Sequence, residues 1–150
     1  MGYDISGFGT RIQLQASVTF PASIGLTQFA DDSDPIDVTT QEIMDSAMGL
    51  NGDLVTWSTA KPIKFNLSFK PDDDDDKNLS ILLEANRPGK NKRVARDKLQ
   101  MVVSYPNGIL ITLTNGKISA GQSFTGIQSA GRMKSKTYTF VFENVIKAVL

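Results

Sequence analysis

Four stretches of this chain alternate apolar and polar residues with a period of two, and this constrains the fold more than any other feature. Over 11–20, Ile12, Leu14, Ala16, Val18 and Phe20 fall on one side, and Arg11, Gln13, Gln15, Ser17 and Thr19 on the other. Ile63, Phe65, Leu67 and Phe69 alternate with Lys64, Asn66, Ser68 and Lys70. Leu99, Met101, Val103 and Tyr105 alternate with Gln100, Val102 and Ser104, and Tyr138, Phe140 and Phe142 with Thr137, Thr139 and Val141. Successive strand side chains point to opposite faces, so each stretch is predicted as a strand with one buried face. Pro21 is expected to end the first. The turn Pro106-Asn107-Gly108 returns the chain into a strand over 109–114. Asn115-Gly116 reads as a further turn, 117–120 as a short strand, and the Gly/Ser/Gln-rich 121–131 as a mobile loop.

One convincing helix signal interrupts the strands, at 78–86. Pro71 and the aspartates Asp72 to Asp76 precede it, where acids complement the helix dipole, and Pro88-Gly89 stops it. The segment 31–58 is less periodic. It holds short strands at 36–39 and 53–58, a helix or irregular loop over 41–50, and a turn at Asn51-Gly52. Its apolar residues Met44, Met48, Leu50 and Trp57 argue for a protruding loop that buries itself on a partner. Residues 1–10 read as an extended arm with Tyr3 and Phe8 available for burial. The expectation is a mainly β single domain over 1–150. It is a sandwich or barrel of about six to seven strands, with one flanking α-helix and a long protruding loop at 31–58.

The 150 residues include no histidine and no cysteine. This excludes disulfides, thiolate nucleophiles and Cys or His metal sites, and removes the commonest general base near neutral pH. No serine has a histidine to activate it. The chain is therefore expected to be no enzyme and to need no cofactor or metal. No apolar run approaches a membrane span, and the N-terminus lacks the pattern of a secretory signal.

Charge is divided along the chain. Residues 1–86 hold 14 acids and 5 bases, and residues 87–150 hold 11 bases and 2 acids, giving −9 and +9 and a net charge of zero. That balance argues against free, non-specific nucleic-acid binding. Asp72, Asp73, Asp74, Asp75 and Asp76 fit a solvated helix cap, a contact with a basic surface of another subunit, or, less readily, a cation site. Consecutive residues diverge, whereas a calcium loop spaces its ligands around a glycine. The basic run with Lys90, Lys92, Arg93 and Arg96 fits a solvated loop, an acidic surface on a like subunit, or phosphates.

Three segments carry a family resemblance: Gly2-Tyr3-Asp4-Ile5-Ser6-Gly7-Phe8-Gly9, Ser46-Ala47-Met48-Gly49-Leu50-Asn51-Gly52-Asp53, and Ser129-Ala130-Gly131-Arg132 through Lys136-Thr137-Tyr138-Thr139-Phe140. They resemble structural proteins of tailed bacteriophages, in particular small tail tube proteins, whose fold is shared with the tubes of contractile injection systems. The resemblance implies a β-barrel-like sandwich with one flanking helix and a protruding loop. It also implies hexameric rings stacked into a hollow tube, with neighbouring strands lining a lumen through which DNA passes unbound. The implied partners are other copies of the chain, a tail sheath in a contractile tail, a tape measure protein, and baseplate or terminator proteins. The implied location is the virion tail, assembled in the host cytoplasm.

The residues fit a self-assembling subunit, because a sign-split chain suits head-to-tail contacts. Phe8, Met44, Met48, Leu50, Trp57, the five aspartates, Lys90, Lys92, Arg93 and Arg96 are the expected inter-subunit contacts. The alternatives are another virion component, or a monomeric β-barrel that binds a ligand in an enclosed apolar pocket.

Overall fold

A computed structural model describes residues 6–149. Among them, nine strands and one helix run in the order β1 (Arg11–Ala16), β2 (Phe20–Leu26), β3 (Ile36–Val38), β4 (Met44–Met48), β5 (Leu54–Ser58), β6 (Ile63–Phe69), α1 (Asp74–Asn86), β7 (Leu99–Ser104), β8 (Ile109–Gly121) and β9 (Lys136–Val149). The mainly β architecture with one helix matches the expectation. Seven strands form one antiparallel sheet ordered β2-β1-β7-β8-β9-β6-β3, while β4 and β5 pair only with each other. The large sheet curls without closing into a barrel. The chain leaving β2 crosses to the far end of the sheet, where Phe29 bridges Phe69 and the Ala30 amide donates to the Ser68 carbonyl at 3.0 Å.

Register places the alternating residues in rows across the sheet. One row runs Ile24, Leu14, Met101, Leu113; the next runs Phe20, Ala16, Leu99, Gly116, Phe142, Ile63. In the second row Gly116 is small for a physical reason. A Cβ there would lie 2.1 Å from the Phe142 ring, which packs directly on the glycine backbone. Phe65 stacks beside that ring at 5.7 Å between centroids. The buried Leu79 and Leu82 of α1 join these rows in one apolar core, and burial of such side chains is the main force holding helix to sheet.

Four local expectations are corrected. The alternation over 11–20 is two strands: residues 17–19 turn, and Pro21 lies inside β2, an edge strand where its missing N–H breaks no ladder. The 41–50 segment is strand β4 rather than a helix, because Asn51-Gly52 folds it back onto β5 with Met48 opposite Leu54. Asn115-Gly116 is no turn: β8 runs straight through, with Asn115 at φ 54 absorbing a bulge against β7. The short strand expected at 117–120 is a continuation of β8, which ends at Gly121; residues 122–131 form a loop, whose Ile127 bridges Met133.

Buried carboxylates fasten these parts together. Asp97 accepts from the Val18 amide at 2.7 Å, the Thr19 amide at 2.8 Å, the Thr19 hydroxyl, and Asn86 Nδ2 at 2.8 Å. It joins the β1–β2 turn to the C-terminal end of α1. Burial pushes the Asp97 carboxyl up, but the hydrogen bonds from Thr19, Asn86 and Val18 outweigh it and hold the group below the usual carboxylate value. Asp75 accepts from the Thr27 and Gln28 amides, both at 2.7 Å. Asp76 accepts from the Tyr138 hydroxyl at 2.9 Å and lies 3.6 Å from buried Lys136 Nζ. Burial, first of all, pushes the Tyr138 phenol well above its ordinary value.

Candidate assembly interface

The β4–β5 hairpin is built from residues that elsewhere would form a core. Antiparallel pairing puts Met44, Met48 and Leu54 on one face, and Val55 and Trp57, opposite Ala47 and Asp45, on the other. Neither face is covered. Met48 is 66% exposed, Trp57 49%, and Leu50 at the tip is fully exposed. The tip is tight: the Gly49 amide donates to the Asp53 carbonyl at 2.7 Å, and Gly52 adopts φ 88. A lone two-stranded hairpin is at best marginally stable in water and ordinarily needs something to pack against. Exposed apolar residues gathered on one projecting element mark an interaction site more readily than scattered ones do. Here all four apolar residues expected at an interface between 31 and 58, Met44, Met48, Leu50 and Trp57, lie on this one hairpin, spread over its two faces and its tip. Ile43, Leu54 and Val55 are likewise exposed; the pairing of Leu54 with Met48 and of Val55 with Ala47 adds one residue to each face.

Phe8 is 90% exposed on a turn in which the Thr10 amide donates to the Gly7 carbonyl. Tyr3 and the rest of the arm up to residue 5 lie outside the described residues.

The aspartates divide. Asp72 and Asp74 face solvent, Asp73 is half-buried at the helix N-cap position, and Asp75 and Asp76 are buried in the bonds described above. As candidate contacts, Asp75 and Asp76 are thus already engaged within their own subunit. Asp72 sits at φ 64, and its amide donates to Asp76 at 3.0 Å. Among the described residues, no group of three or more carboxylates converges as a metal site.

The basic run is a fixed loop. Lys92 donates to the Glu84 carbonyl and carboxylate, the Ala95 amide to the Ala85 carbonyl at 2.9 Å, and the Asp97 amide to Asn86 Oδ1 at 2.9 Å. Arg87, the larger influence, and Lys92 lower the Glu84 pKa to about 2. Asn91 and Arg96 adopt positive φ, at 57 and 54. Lys90, Arg93 and Arg96 are exposed and form no ion pair among the described residues, so their charge is presented outward.

One further surface escaped the alternation pattern. β9 pairs with β6 only up to Phe142, while β8 follows it to Val149. From Glu143 onward one edge of β9 is open, and it carries exposed Val145, Ile146 and Val149. Open edges are templates for pairing with another chain.

Residues 3–146 match the family described as tail fiber protein gp32. Two solved structures share the fold end to end. One is a chain in the anti-feeding prophage (AFP) baseplate, solved with 6-fold symmetry, at 10% identity and TM-score 0.61, covering 99% of this chain and 98% of that one. The other is a chain in the sheath/tube terminator of a PVC extracellular contractile injection system in its extended state, at 11% identity and TM-score 0.57, covering 99% of both chains. No curated protein sequence matches. The likeness to these two structures concerns the fold, whereas the family match spans nearly every residue: the chain belongs to the tail fiber protein gp32 family and is a phage tail-type structural protein.

Proposed function

We propose that this chain is a tail tube subunit: copies of it form hexameric rings that stack into a hollow conduit through which DNA passes. It acts as a scaffold and not as a catalyst. The observation that carries this reading is the β4–β5 hairpin, an arm with exposed apolar residues on both faces that, among the described residues, pairs with no strand of the large sheet. The open edge of β9 supports it, offering backbone donors and acceptors to a neighbouring copy. The similar AFP chain comes from a 6-fold symmetrised baseplate structure, and it matches this chain over nearly its whole length. The partners on this reading are further copies, a sheath in a contractile tail, a tape measure protein, and baseplate or terminator proteins, all within a virion tail assembled in the host cytoplasm.

A second reading has specific support. Both end-to-end likenesses are to chains from a baseplate and a sheath/tube terminator, the extremities of a tube. On that reading the chain forms one ring that begins or ends a tube made by another protein. Negative-stain images of the purified protein over a range of concentrations separate the two. Stacks of rings with a central channel support the tube subunit; single rings that never stack support the end component. Particles of monomer size at every concentration refute both.

A further inference from the structure

The hairpin and the loop after α1 are opposite in charge, and each keeps charged groups that form no ion pair among the described residues. Residues 31–60 contain seven acids and no base, and residues 87–98 contain six bases and one acid. Within the acidic segment, Glu42 is paired with Lys61 and Asp31 with Arg132, but Asp53 at the hairpin tip forms no ion pair among the described residues. Within the basic segment Lys92 and Arg87 are held by Glu84, which leaves Lys98 just before β7 and Lys90, Arg93 and Arg96 turned outward on a loop already locked to the helix. A preformed surface loses little freedom on binding.

Beside that loop lies an apolar groove of about 460 Å³ between α1 and residues 122–123. Ile81, Leu83 and Ala85 give it its apolar lining, Glu84 and Lys92 line it as an ion pair, and Ile81 is 53% exposed. The hairpin tip has the matching composition, with Leu50 and Leu54 beside Asp53. The other acidic run that could meet the basic loop, Asp72 to Asp76, has two of its five carboxylates buried in its own subunit.

We propose that the β4–β5 hairpin of one copy seats in the groove beside α1 of the next copy. Leu50 and Leu54 lie against Ile81 and Leu83, and Asp53 lies toward Lys90, Arg93 and Arg96. This rests on the self-assembly reading above and names the two surfaces that meet. The contact is heterologous: one copy's hairpin meets a different surface on its neighbour. Such contacts propagate around a ring or along a stack.

The chain has no cysteine, which makes the test clean. Leu50→Cys protein is mixed with Ile81→Cys protein under assembly conditions and oxidised. A disulfide needs Cα atoms within about 7 Å, so a cross-link reports direct proximity. Gln13→Cys, on the exposed face of β1, serves as the control site. The expected result is a cross-linked dimer from Leu50→Cys with Ile81→Cys in assembled material, and none with Gln13→Cys. As a second measurement, Asp53→Lys and Arg93→Glu should each raise the concentration needed for assembly about tenfold at low salt, and the double variant should restore it. If assemblies form but Leu50→Cys fails to cross-link to Ile81→Cys, or links equally to Gln13→Cys, the pairing is overturned and self-assembly stands. If no assembly forms even with the unaltered chain, the reading beneath it falls as well.

Discussion

Asp97→Ala tests how this fold is held together. The carboxylate is buried and accepts four hydrogen bonds, from the Val18 and Thr19 amides, the Thr19 hydroxyl and Asn86. Hydrogen bonds to a charged group contribute about 1.5–3 kcal/mol, and a buried donor left without an acceptor costs about 1–3 kcal/mol. Val18 stands in a turn that water reaches, so its amide recovers part of the loss. The substitution should therefore cost about 3 kcal/mol, a large part of the roughly 5–15 kcal/mol that a domain has. In thermal unfolding this corresponds to a fall in midpoint of about 6–12 °C. The effect should depend on pH. The folded pKa of Asp97 lies below its ordinary value, so its contribution is whole above the unfolded pKa of about 3.9 and is lost as pH falls through the folded value. The difference between variant and parent should accordingly shrink at acidic pH below about 4. Urea unfolding of both proteins at neutral pH and at stepped acidic values measures this. A neutral-pH difference under about 0.5 kcal/mol, the range of an ordinary surface change, would refute the assignment of Asp97 as a fastener; a difference constant with pH would refute its charge as the cause.

Gly116→Ala should destabilise by about 1–3 kcal/mol, because the new methyl falls on the Phe142 ring in a filled core. Denaturant unfolding of that variant measures it, and recovery in the double variant Gly116→Ala/Phe142→Leu is expected. Trp57→Ser and Met48→Ser should leave unfolding of the isolated chain within about 0.5 kcal/mol while weakening assembly, since both side chains are largely exposed; light scattering and unfolding on the same samples separate the two effects. Assembly itself should weaken as salt rises from about 0.01 M to 1 M, where screening shortens from roughly 30 Å to 3 Å, and salt-independent assembly would count against a role for Arg93 and Arg96.

The strands that alternate cleanly were legible because one face of each meets the core. Ile12, Leu14 and Ala16 are fully buried while Arg11, Gln13 and Gln15 are exposed, and in β7 and the first half of β9 a buried face alternates with a mostly half-buried one; β6 keeps Phe65, Leu67 and Phe69 inside but buries Ser68 as well. The β1–β2 turn was hidden because Ser17, Val18, Thr19 and Phe20 continue the alternation. What bends the chain there is a carboxylate 78 residues away from Thr19, which no local pattern reveals. Strand β4 was ambiguous because Met44, Ala47 and Met48 have helical spacing; pairing with β5 across Asn51-Gly52 overrides it. At the candidate interface, the apolar residues of the hairpin were identifiable from composition, since nothing in their periodicity offered a core face. A run of five identical aspartates could not say which carboxylates turn inward. That depends on Thr27, Gln28 and Tyr138, brought to α1 by the curl of the sheet. The open edge of β9 was invisible because it follows from β6 being shorter than β8, a difference in strand length and not in residue type.

The central claim is that this chain assembles with itself through surfaces the isolated fold leaves uncovered. Sedimentation of the purified protein across a wide concentration range tests it most directly. The prediction is a concentration-dependent shift from the 16.3 kDa chain to a species six times that mass, or to stacks of it, lost in Trp57→Ser and Met48→Ser. A single species of 16.3 kDa up to the highest concentration reached would contradict it.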